Sequence, residues 1–374
     1  MKVLLIGNYA PDRQESMLRY AEMMRDGLAE AGHDVALATP RQVLNASGKP
    51  AAGLWKWVGY LDKYILSTVD IERAASRADV IHVCDHSNAV YVPGNPGKPY
   101  VVTCHDLLAV RGALGEDTDC PASFAGRYLQ KVILRGLRRA NAVACVSGAT
   151  LRDAQRLLGN YAGKLVVTPN SLNFPYRKLD PTTVRERLTQ VSALRDGGAY
   201  VLTIGSNLRR KNRETALRAM ARVASSWPGR IVFAGQPLNA ELRSLAVQLG
   251  VMDRVVEVAS PSNELLEALY NGALALLFPS RFEGFGWPII EAQACGCPVI
   301  CSAVEPLPEV AGDGAILCDP DDTVAFANAI VEVAGNPQRR DALVRAGFAN
   351  AGGYGRSRMI ERFVALYEQV AVVA

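Results

Sequence analysis

The stretch that decides the fold of this 374-residue chain runs from Phe278 to Val299 and reads FPSRFEGFGWPIIEAQACGCPV. It opens as the end of an apolar strand, 274–278, passes through a glycine-containing turn and enters a helix. Pro288 suits the first turn of that helix, where its missing N–H would have no partner anyway. A strand that leads through a glycine turn into a helix indicates a Rossmann-like α/β domain with a ligand at the turn.

The same turn carries groups suited to a sugar nucleotide. Gly284 and Gly286 leave backbone N–H groups open at a helix N-terminus, which suits the phosphates and hydroxyls of an anionic ligand. Glu283 lies in the turn and Glu291 about one helical turn into the helix, with seven residues between them. Because two carboxylates beside a phosphate would repel it, we expect them to bind neutral hydroxyls, such as those of a sugar and a ribose.

A second motif lies about 70 residues earlier. Strand 199–205 runs into a small-residue turn, and the basic triplet Arg209-Arg210-Lys211 stands just before a helix. Cations at a helix start predict a diphosphate cradle. Solvated basic residues are also common at helix starts, so the motif is weak alone. Its pairing with 278–299 favours the cradle.

Together the two motifs resemble the donor site of the retaining glycosyltransferases of family 4, in their glycogen-synthase-like and mannosyltransferase-like group. That family has the GT-B fold. Lys211 matches the lysine of the family motif, whereas Ser206 stands where relatives often have an arginine. The resemblance assigns the donor to one set of residues: Ser206, Arg210, Lys211, Ser260, Glu283, Gly284, Phe285, Gly286 and Glu291.

The resemblance also implies roles for these residues. Glu283 holds the sugar hydroxyls and Glu291 the ribose hydroxyls, while Gly284, Phe285 and Gly286 present backbone N–H groups. Lys211, assisted by Arg210 and Ser206, stabilises the diphosphate as negative charge develops on it. The nucleobase lies against the loop after strand 254–259, near Ser260.

His105 is the third residue that the resemblance assigns to catalysis, with Glu283 and Lys211. It follows strand 99–104, at the point where the family places a histidine near the donor sugar and phosphate. The alternative for a lone histidine at this position is a structural role. We expect Asp106 to cap a helix or to orient its neighbours.

Acceptor contacts are assigned to Asn8, Asp85 and His86. Asp85 and His86 belong to the polar run 84–88 after strand 79–84, and Asn8 opens a loop that lacks the paired glycines of many relatives. A turn with a helix cap is the alternative for Asp85. We expect Ser147 to cap a helix and Asn170 to shape the interdomain hinge.

Short strands alternate with helices along the whole chain, which predicts an α/β protein with parallel sheets. We predict the GT-B architecture: a Rossmann-like acceptor-side domain over 1–172, a connection over 173–198, and a Rossmann-like nucleotide-sugar domain over 199–355. In the resembled fold the terminal helix 356–374 crosses back to the first domain. Ligands bind at the carboxyl ends of such strands, so the site is expected in the cleft between the domains.

The composition excludes several other classes of protein. A net charge of +4 is too mild for a nucleic-acid-binding protein. The longest apolar runs fall far short of the ~20 residues of a membrane span, and the apolar N-terminus is expected to form a strand, not a signal peptide. Reduced thiols fit a cytoplasmic protein. Metal binding at Cys295, Cys297 and Cys301 is disfavoured, because no histidine lies nearby, and helix capping explains Asp319, Asp321 and Asp322. No metal or cofactor is expected.

Two segments suggest peripheral contact with the inner face of a membrane. Five cations fall at helical spacing in the predicted helix 123–139: Arg127, Lys131, Arg135, Arg138 and Arg139. An aromatic-basic patch comprises Trp55, Lys56, Trp57, Tyr60, Lys63 and Tyr64. A solvated helix face and a partly buried aromatic cluster are the alternatives to docking on anionic lipid.

The predicted function is transfer of a hexose, with retention, from a nucleotide-diphosphate sugar to a glycan, lipid-linked or small-molecule acceptor, as in polysaccharide biosynthesis. The Arg210-Lys211-Asn212 variant favours GDP-mannose as the donor, with UDP-glucose and UDP-N-acetylhexosamine left open. A non-catalytic nucleotide-sugar or glycan-binding protein of the same fold is the rival interpretation. A sugar-nucleotide epimerase fits the glutamate spacing less well.

Overall fold

The computed structural model describes residues 1–46, 48–49, 53–94 and 96–373, apart from the side chains of Leu54 and Val373. It divides into two compact units. The first comprises residues 1–173 and 356–374, and the second comprises residues 174–355. Residues 174–198, most of the segment expected to connect the domains, therefore lie within the second unit.

The first unit is a parallel sheet covered by helices. Its strands are β1 Lys2–Ile6, β2 Asp34–Ala38, β3 Val80–Val83, β4 Tyr100–Cys104, β5 Ala142–Cys145 and β6 Lys164–Val167. Its helices are α1 Glu15–Glu30, α2 Leu54–Leu61, α3 Thr68–Ala75, α4 Leu108–Ala113, α5 Phe124–Arg139 and α6 Gly148–Leu158. All residues of β3, β4 and β5 are buried, as expected for parallel strands covered on both faces.

The second unit repeats this plan. Its strands are β7 Tyr200–Gly205, β8 Arg230–Gly235, β9 Val255–Ala259, β10 Ala275–Phe278, β11 Val299–Ser302 and β12 Ala315–Cys318. Its helices are α7 Pro181–Leu188, α8 Arg213–Arg222, α9 Ala240–Gln248, α10 Asn263–Gly272, α11 Trp287–Ala294, α12 Leu307–Ala311, α13 Thr323–Gly335 and α14 Pro337–Ala351. The last helix, α15 Arg356–Val373, follows this unit in sequence and packs in the first unit, as predicted.

The strand order of each sheet has one point where the chain reverses its direction of growth. The first sheet runs β2-β1-β3-β4-β5-β6, and the second runs β12-β11-β10-β7-β8-β9, with all neighbours parallel. The reversal lies between β1 and β3 in the first sheet and between β7 and β10 in the second. Ligands of open α/β sheets bind at the carboxyl ends of the strands beside such a point. The predicted class, two Rossmann-like α/β domains, is confirmed.

The sequence pattern also predicts a single helix over 60–77, and this prediction is wrong. The structure has helix α2 from Leu54, a π-helical turn over Asp62–Leu66, and α3 from Thr68. The buried carboxylate of Asp62 accepts the backbone N–H groups of Leu44 and Asn45 and the hydroxyl of Tyr9. These partners come from distant parts of the sequence, so no local pattern predicts the π-helical turn, a rare element that occurs mostly as a single turn within an α-helix.

Four cysteines in or directly after strands are small core residues. Cys84, Cys104, Cys145 and Cys301 are buried free thiols, and burial raises the pKa of the Cys84 and Cys301 thiols. The described part of the chain contains no helix with the length and apolarity needed to cross a membrane.

Candidate functional site

The donor motifs of the sequence meet at the reversal point of the second sheet. The turn after β7 carries residues 206–212, and the turn after β10 carries residues 279–286. Because β7 and β10 are neighbouring parallel strands, their carboxyl ends open side by side. The structure thus brings together two motifs that lie about 70 residues apart in the chain.

A carboxylate that forms ion pairs with two cations lies at the centre of this site. The Lys211 ammonium is 2.6 Å from Oε1 of Glu283, and Nη1 of Arg210 is 3.2 Å from Oε2. Arg210 also donates to the carbonyl of Phe282 at 3.0 Å, and its own carbonyl accepts the N–H of Arg281. The two turns are therefore linked by both charge and backbone, and Glu283 is fixed between Arg210 and Lys211.

Glu283 is ionised in this setting. Its side chain is 8% exposed, and burial alone would raise the pKa of the carboxyl group. The charges of Lys211 and Arg210, with the hydrogen bond from Lys211, outweigh burial and lower the pKa below its usual value. The ammonium of Lys211 also lies 5.5 Å from the centre of the Phe278 ring, so it borders the last residue of β10.

Asn212 explains why the basic turn takes this shape. It adopts a left-handed conformation (φ 51°) between the 3₁₀ turn Arg209–Lys211 and the start of α8. Its buried amide donates to the carbonyls of Pro279 and Pro320 at 2.9 and 2.8 Å. Asparagine tolerates the left-handed region better than most residues. The third residue of the Arg210-Lys211-Asn212 element thus ties the basic turn to the glutamate turn.

The glycine turn leads into α11 as the sequence predicts. Gly286, with φ 103°, stands at the N-cap position, and a Cβ there would lie 2.8 Å from Leu307. Pro288 falls in the first turn of α11. The ring of Phe285 is buried against Trp287 and Tyr354 in edge-on contacts. The Phe285 side chain is thus packed within the unit, and the ligand role of its backbone N–H stays a prediction.

Glu291 is a buried carboxylate on α11 with an internal donor. The hydroxyl of Tyr270 on α10 donates to its Oε2 at 2.6 Å, and Tyr270 is itself fully buried. Burial and the negative charge of Glu291 raise the pKa of Tyr270 well above its usual value, so the phenol keeps its proton. Tyr270 holds the Glu291 carboxylate in place, and no local sequence signal marks it for that role.

The other two predicted donor residues lie at the same sheet edge. Ser206, half-buried, follows β7 directly. Ser260 follows β9, is exposed, and has φ 43°, with its N–H donating to the carbonyl of Gly235 at 3.0 Å. Gly235 ends β8 with φ 112°, where a Cβ would lie 2.6 Å from the carbonyl oxygen of Gly205. This close approach fixes the neighbouring strand ends against each other.

Arg213 is a buried cation of this region that the sequence analysis missed. Its guanidinium donates to the carbonyls of Gly205 and Gln236 and to the side chain of Asn207, and it lies over the Phe233 ring. Burial lowers the pKa of Arg213 to about 10. The residue pins the turns after β7 and β8 together. Its place at the end of a basic run was the only signal in the sequence.

The predicted acceptor residues meet at the reversal point of the first sheet. Nδ2 of Asn8, after β1, donates to Oδ2 of Asp85, after β3, at 2.6 Å. Asp85 also accepts the N–H and the hydroxyl of Ser87, and so caps the 3₁₀ turn His86–Tyr91. The capping alternative is confirmed for Asp85. The acceptor role of Asn8, Asp85 and His86 stays a prediction.

Two histidines flank this carboxylate in the first unit. Nδ1 of His86 lies 3.1 Å from Oδ1 of Asp85, and although burial lowers the pKa of His86, the carboxylate raises it above the usual value. His105 follows β4, and its Nε2 donates to the carbonyl of Cys84 at 3.0 Å. Burial lowers the pKa of His105 below the usual value. The ring of Tyr20 contacts His105 edge-on, with centroids 4.7 Å apart.

Two polar residues have the capping roles predicted for them. Ser147 accepts the N–H of Thr150 at the start of α6, and Asp322 accepts those of Val324 and Ala325 at the start of α13. Asp106 accepts the N–H of Leu108, but the N-cap residue of α4 is Leu107. Among the described residues, no three histidine, cysteine or acidic side chains are grouped as a metal ion would need.

Known proteins share both halves of this architecture. Two protein-family models match the sequence. The family model described as Glycosyltransferase Family 4 matches residues 17–174, and the family model described as Glycosyl transferases group 1 matches residues 184–349. Together they cover most of both units. The chain belongs to the family 4 glycosyltransferases.

Curated relatives of this family 4 chain include two bacterial enzymes. It is 30% identical to the D-inositol 3-phosphate glycosyltransferase of Acidothermus cellulolyticus over 72% of its own length and 62% of that protein's. It is 29% identical to the O-antigen chain mannosyltransferase B of Escherichia coli over 83% of its length and 82% of that protein's. The chain thus spans less than two thirds of the first relative.

A solved structure confirms the GT-B fold of this glycosyltransferase. The sucrose-phosphate synthase of Thermosynechococcus elongatus superposes with a TM-score of 0.79 at 21% identity, covering all of both chains. At that identity the likeness concerns the fold.

Proposed function

We propose that this protein transfers a hexose, with retention of configuration, from a nucleotide-diphosphate sugar to a hydroxyl group of a glycan, lipid-linked or small-molecule acceptor. The observation that carries the proposal is the cluster of Lys211, Arg210 and Glu283 at the reversal point of the second sheet. It puts two cations and one ionised carboxylate where a strand-end ligand binds.

Each member of the cluster has a distinct part in the proposed reaction. The bond from the anomeric carbon to the diphosphate breaks, and the diphosphate leaves with the electron pair. Lys211 and Arg210 stabilise the charge that develops on that diphosphate. Glu283 keeps these cations in place before the donor arrives and accepts hydrogen bonds from the sugar hydroxyls. The acceptor oxygen bonds to the anomeric carbon, and its proton passes to the departing diphosphate oxygen.

The nucleoside half of the donor is assigned to Glu291 and the loop at Ser260. Glu291 is oriented by the Tyr270 hydroxyl, which leaves the carboxylate preorganised for ribose hydroxyls. The Arg210-Lys211-Asn212 element favours GDP-mannose as the donor, and the relation to a mannosyltransferase is in line with that choice. UDP-glucose and UDP-N-acetylhexosamine are the alternatives.

A thermal-shift screen across nucleoside diphosphates, followed by a transfer assay, tests the proposal. A ligand at about 100 times its dissociation constant raises native stability by about 2.7 kcal/mol through mass action. We expect GDP to give the largest shift and GDP-mannose to be turned over with release of GDP. Affinity for a donor without any turnover would establish the rival, a non-catalytic binder.

Helix α5 supports a peripheral contact with an anionic membrane. Its sixteen residues include five cations and no acidic residue. Phe124 and Tyr128 at its start are 90% and 66% exposed, and Arg127, Lys131 and Arg135 are also exposed. Exposed aromatic rings beside lysine and arginine on one helix are typical of a segment that lies in a membrane interface.

The aromatic-basic patch contributes less than the sequence predicted. Lys63 is buried, with 9% of its side chain exposed, and its ammonium lies 2.7 Å from Oδ2 of Asp12. It therefore faces the interior of the unit and cannot contact lipid. Trp57 and Lys56 stay on the surface.

Replacing Arg127, Lys131 and Arg135 with glutamine should weaken binding to anionic vesicles by about 1 kcal/mol per charge. Sedimentation with vesicles of phosphatidylglycerol and phosphatidylcholine measures this loss. The matched control replaces three exposed arginines elsewhere, Arg185, Arg345 and Arg362, and so removes the same net charge. If the two triple variants sediment alike, or both like the unsubstituted protein, α5 is a solvated face.

A further inference from the structure

A chain of buried polar side chains crosses the first unit from α15 to His105. Nδ1 of His82 on β3 lies 2.6 Å from the hydroxyl of Tyr367 on α15, and its Nε2 lies 2.7 Å from Oγ1 of Thr103 on β4. That oxygen lies 3.0 Å from the hydroxyl of Tyr20 on α1. The ring of Tyr20 in turn packs edge-on against His105.

Every member of this chain is removed from solvent. His82, Thr103 and Tyr367 have no exposed surface, and Tyr20 has 1%. Burial lowers the pKa of His82 to about 3 and raises those of Tyr20 and Tyr367 well above the usual value. All the groups are therefore neutral at ordinary pH. Such a site is made of hydrogen bonds whose directions depend on one another.

The tautomer of His82 couples its hydrogen bond with Tyr367 to its hydrogen bond with Thr103. A neutral imidazole has one donor and one acceptor nitrogen. When the Tyr367 hydroxyl donates to Nδ1, the proton of His82 resides on Nε2 and is donated to Thr103. The Phe363 ring stacks on the His82 imidazole at 4.8 Å, so two residues of α15 fix the ring. Because the His82 ring is fixed, its hydrogen bond also fixes the Thr103 hydroxyl, which in turn contacts the hydroxyl of Tyr20.

We propose that Tyr367 and His82 are positioning residues that hold the His105 imidazole through Thr103 and Tyr20. Helix α15 thereby sets the geometry of the histidine assigned to catalysis, in addition to covering the sheet. The inference rests on the proposed transferase function for its kinetic effect, but the positional effect on His105 is independent of any substrate.

The Tyr367→Phe variant tests the kinetic effect. It keeps the ring that packs on Phe363 and His82 and removes only the hydroxyl. A catalytic group displaced by a fraction of an ångström loses rate more than substrate affinity, so we expect kcat to fall about tenfold with the donor KM within about twofold. In a His105→Ala background, the same substitution should change kcat by less than about twofold, since coupled residues are not additive.

Tyr161→Phe is the matched control. The Tyr161 hydroxyl donates to the carbonyl of Ala140 at 2.7 Å in the same unit, outside the chain of residues that leads to His105. It should leave kcat unchanged. An equal loss of kcat in Tyr161→Phe, or an undiminished effect of Tyr367→Phe without His105, would overturn the proposal and leave a general loss of stability.

Nuclear magnetic resonance of the ring nitrogens gives a readout that needs no activity. The protein has four histidines, His33, His82, His86 and His105, so their signals can be assigned by single substitutions. In Tyr367→Phe the signals of His82 and His105 should both move, while those of His33 stay. A change confined to His82 would overturn the positioning role even if transfer is demonstrated. An absence of transfer in the unsubstituted protein would instead refute the proposed function alone.

Discussion

Lys211→Ala is expected to lower kcat/KM for sugar transfer by about 100-fold or more, because it removes a preorganised cation from the developing charge of the diphosphate. The structure sharpens the reason. The ammonium is held by Glu283 at 2.6 Å before any donor binds, so its position needs no rearrangement during the reaction. Steady-state transfer with the donor found in the thermal-shift screen measures the loss.

Arg209→Ala is the matched control for this substitution. Arg209 belongs to the same 3₁₀ turn and carries the same charge, but its side chain is exposed, whereas Lys211 and Arg210 reach Glu283. We expect its effect on transfer to be less than about threefold, as for a screened surface charge. A loss of that small size for Lys211→Ala, or equal losses for both variants, would place the diphosphate elsewhere.

The elements that the sequence predicted well are those with local signals. The strand at 274–278, the glycine turn and the helix after Gly286 follow from apolar runs, glycine and Pro288, and each lies where predicted. Alternation of such segments was enough to infer two Rossmann-like units. Adjacent strand ends are then a consequence of parallel topology, so the meeting of Glu283 with Lys211 was also within reach of the sequence.

The elements that the sequence missed depend on partners distant in the chain. No residue near Asp62 in the sequence indicates that Tyr9 and the backbone at 44–45 will bind its carboxylate at a π-helical turn. For the same reason Lys63 was predicted to be a surface cation, although it is buried and forms an ion pair with Asp12. Hydrophobic periodicity indicates which face of a helix is apolar, but not which polar residue will be buried by partners distant in the chain.

The residues that hold the site groups in place could likewise not be predicted from local sequence patterns. Tyr270 lies in an ordinary amphipathic helix, and its hydrogen bond to Glu291 spans 21 positions. Arg213 looked like one more solvated cation of a basic run, yet it is buried among backbone carbonyls of two strand ends. Residues that orient functional groups are chosen by packing, which becomes visible only when the chain is folded.

Substitutions of Glu283 and Glu291 should differ in their effects on donor binding and on turnover. Glu283→Gln should depress kcat far more than it weakens binding of the free nucleoside diphosphate, which lacks the sugar. The structure adds a direction to this expectation. Removing the carboxylate charge leaves Lys211 and Arg210 without their ion-pair partner, so the free diphosphate should bind as well as before or more tightly.

Glu291→Gln should behave differently, because the ribose is common to both ligands. Nucleoside diphosphate and intact donor should lose affinity alike, by about 1–3 kcal/mol, the scale for a weakened charged hydrogen bond. Tyr270→Phe serves as a companion variant. It keeps the carboxylate and removes only the hydroxyl that orients it, so its loss should be in the same direction and smaller.

Calorimetric titration of both glutamine variants with nucleoside diphosphate and with intact donor decides between the assignments. The expected pattern is a loss for both ligands at Glu291, and at Glu283 a loss of turnover without a loss of nucleoside diphosphate affinity. Equal losses for both ligands at Glu283, with none at Glu291, would reverse the two roles. The sugar would then belong beside α11 and the ribose beside the basic turn, and the register of the family match over 278–299 would be broken.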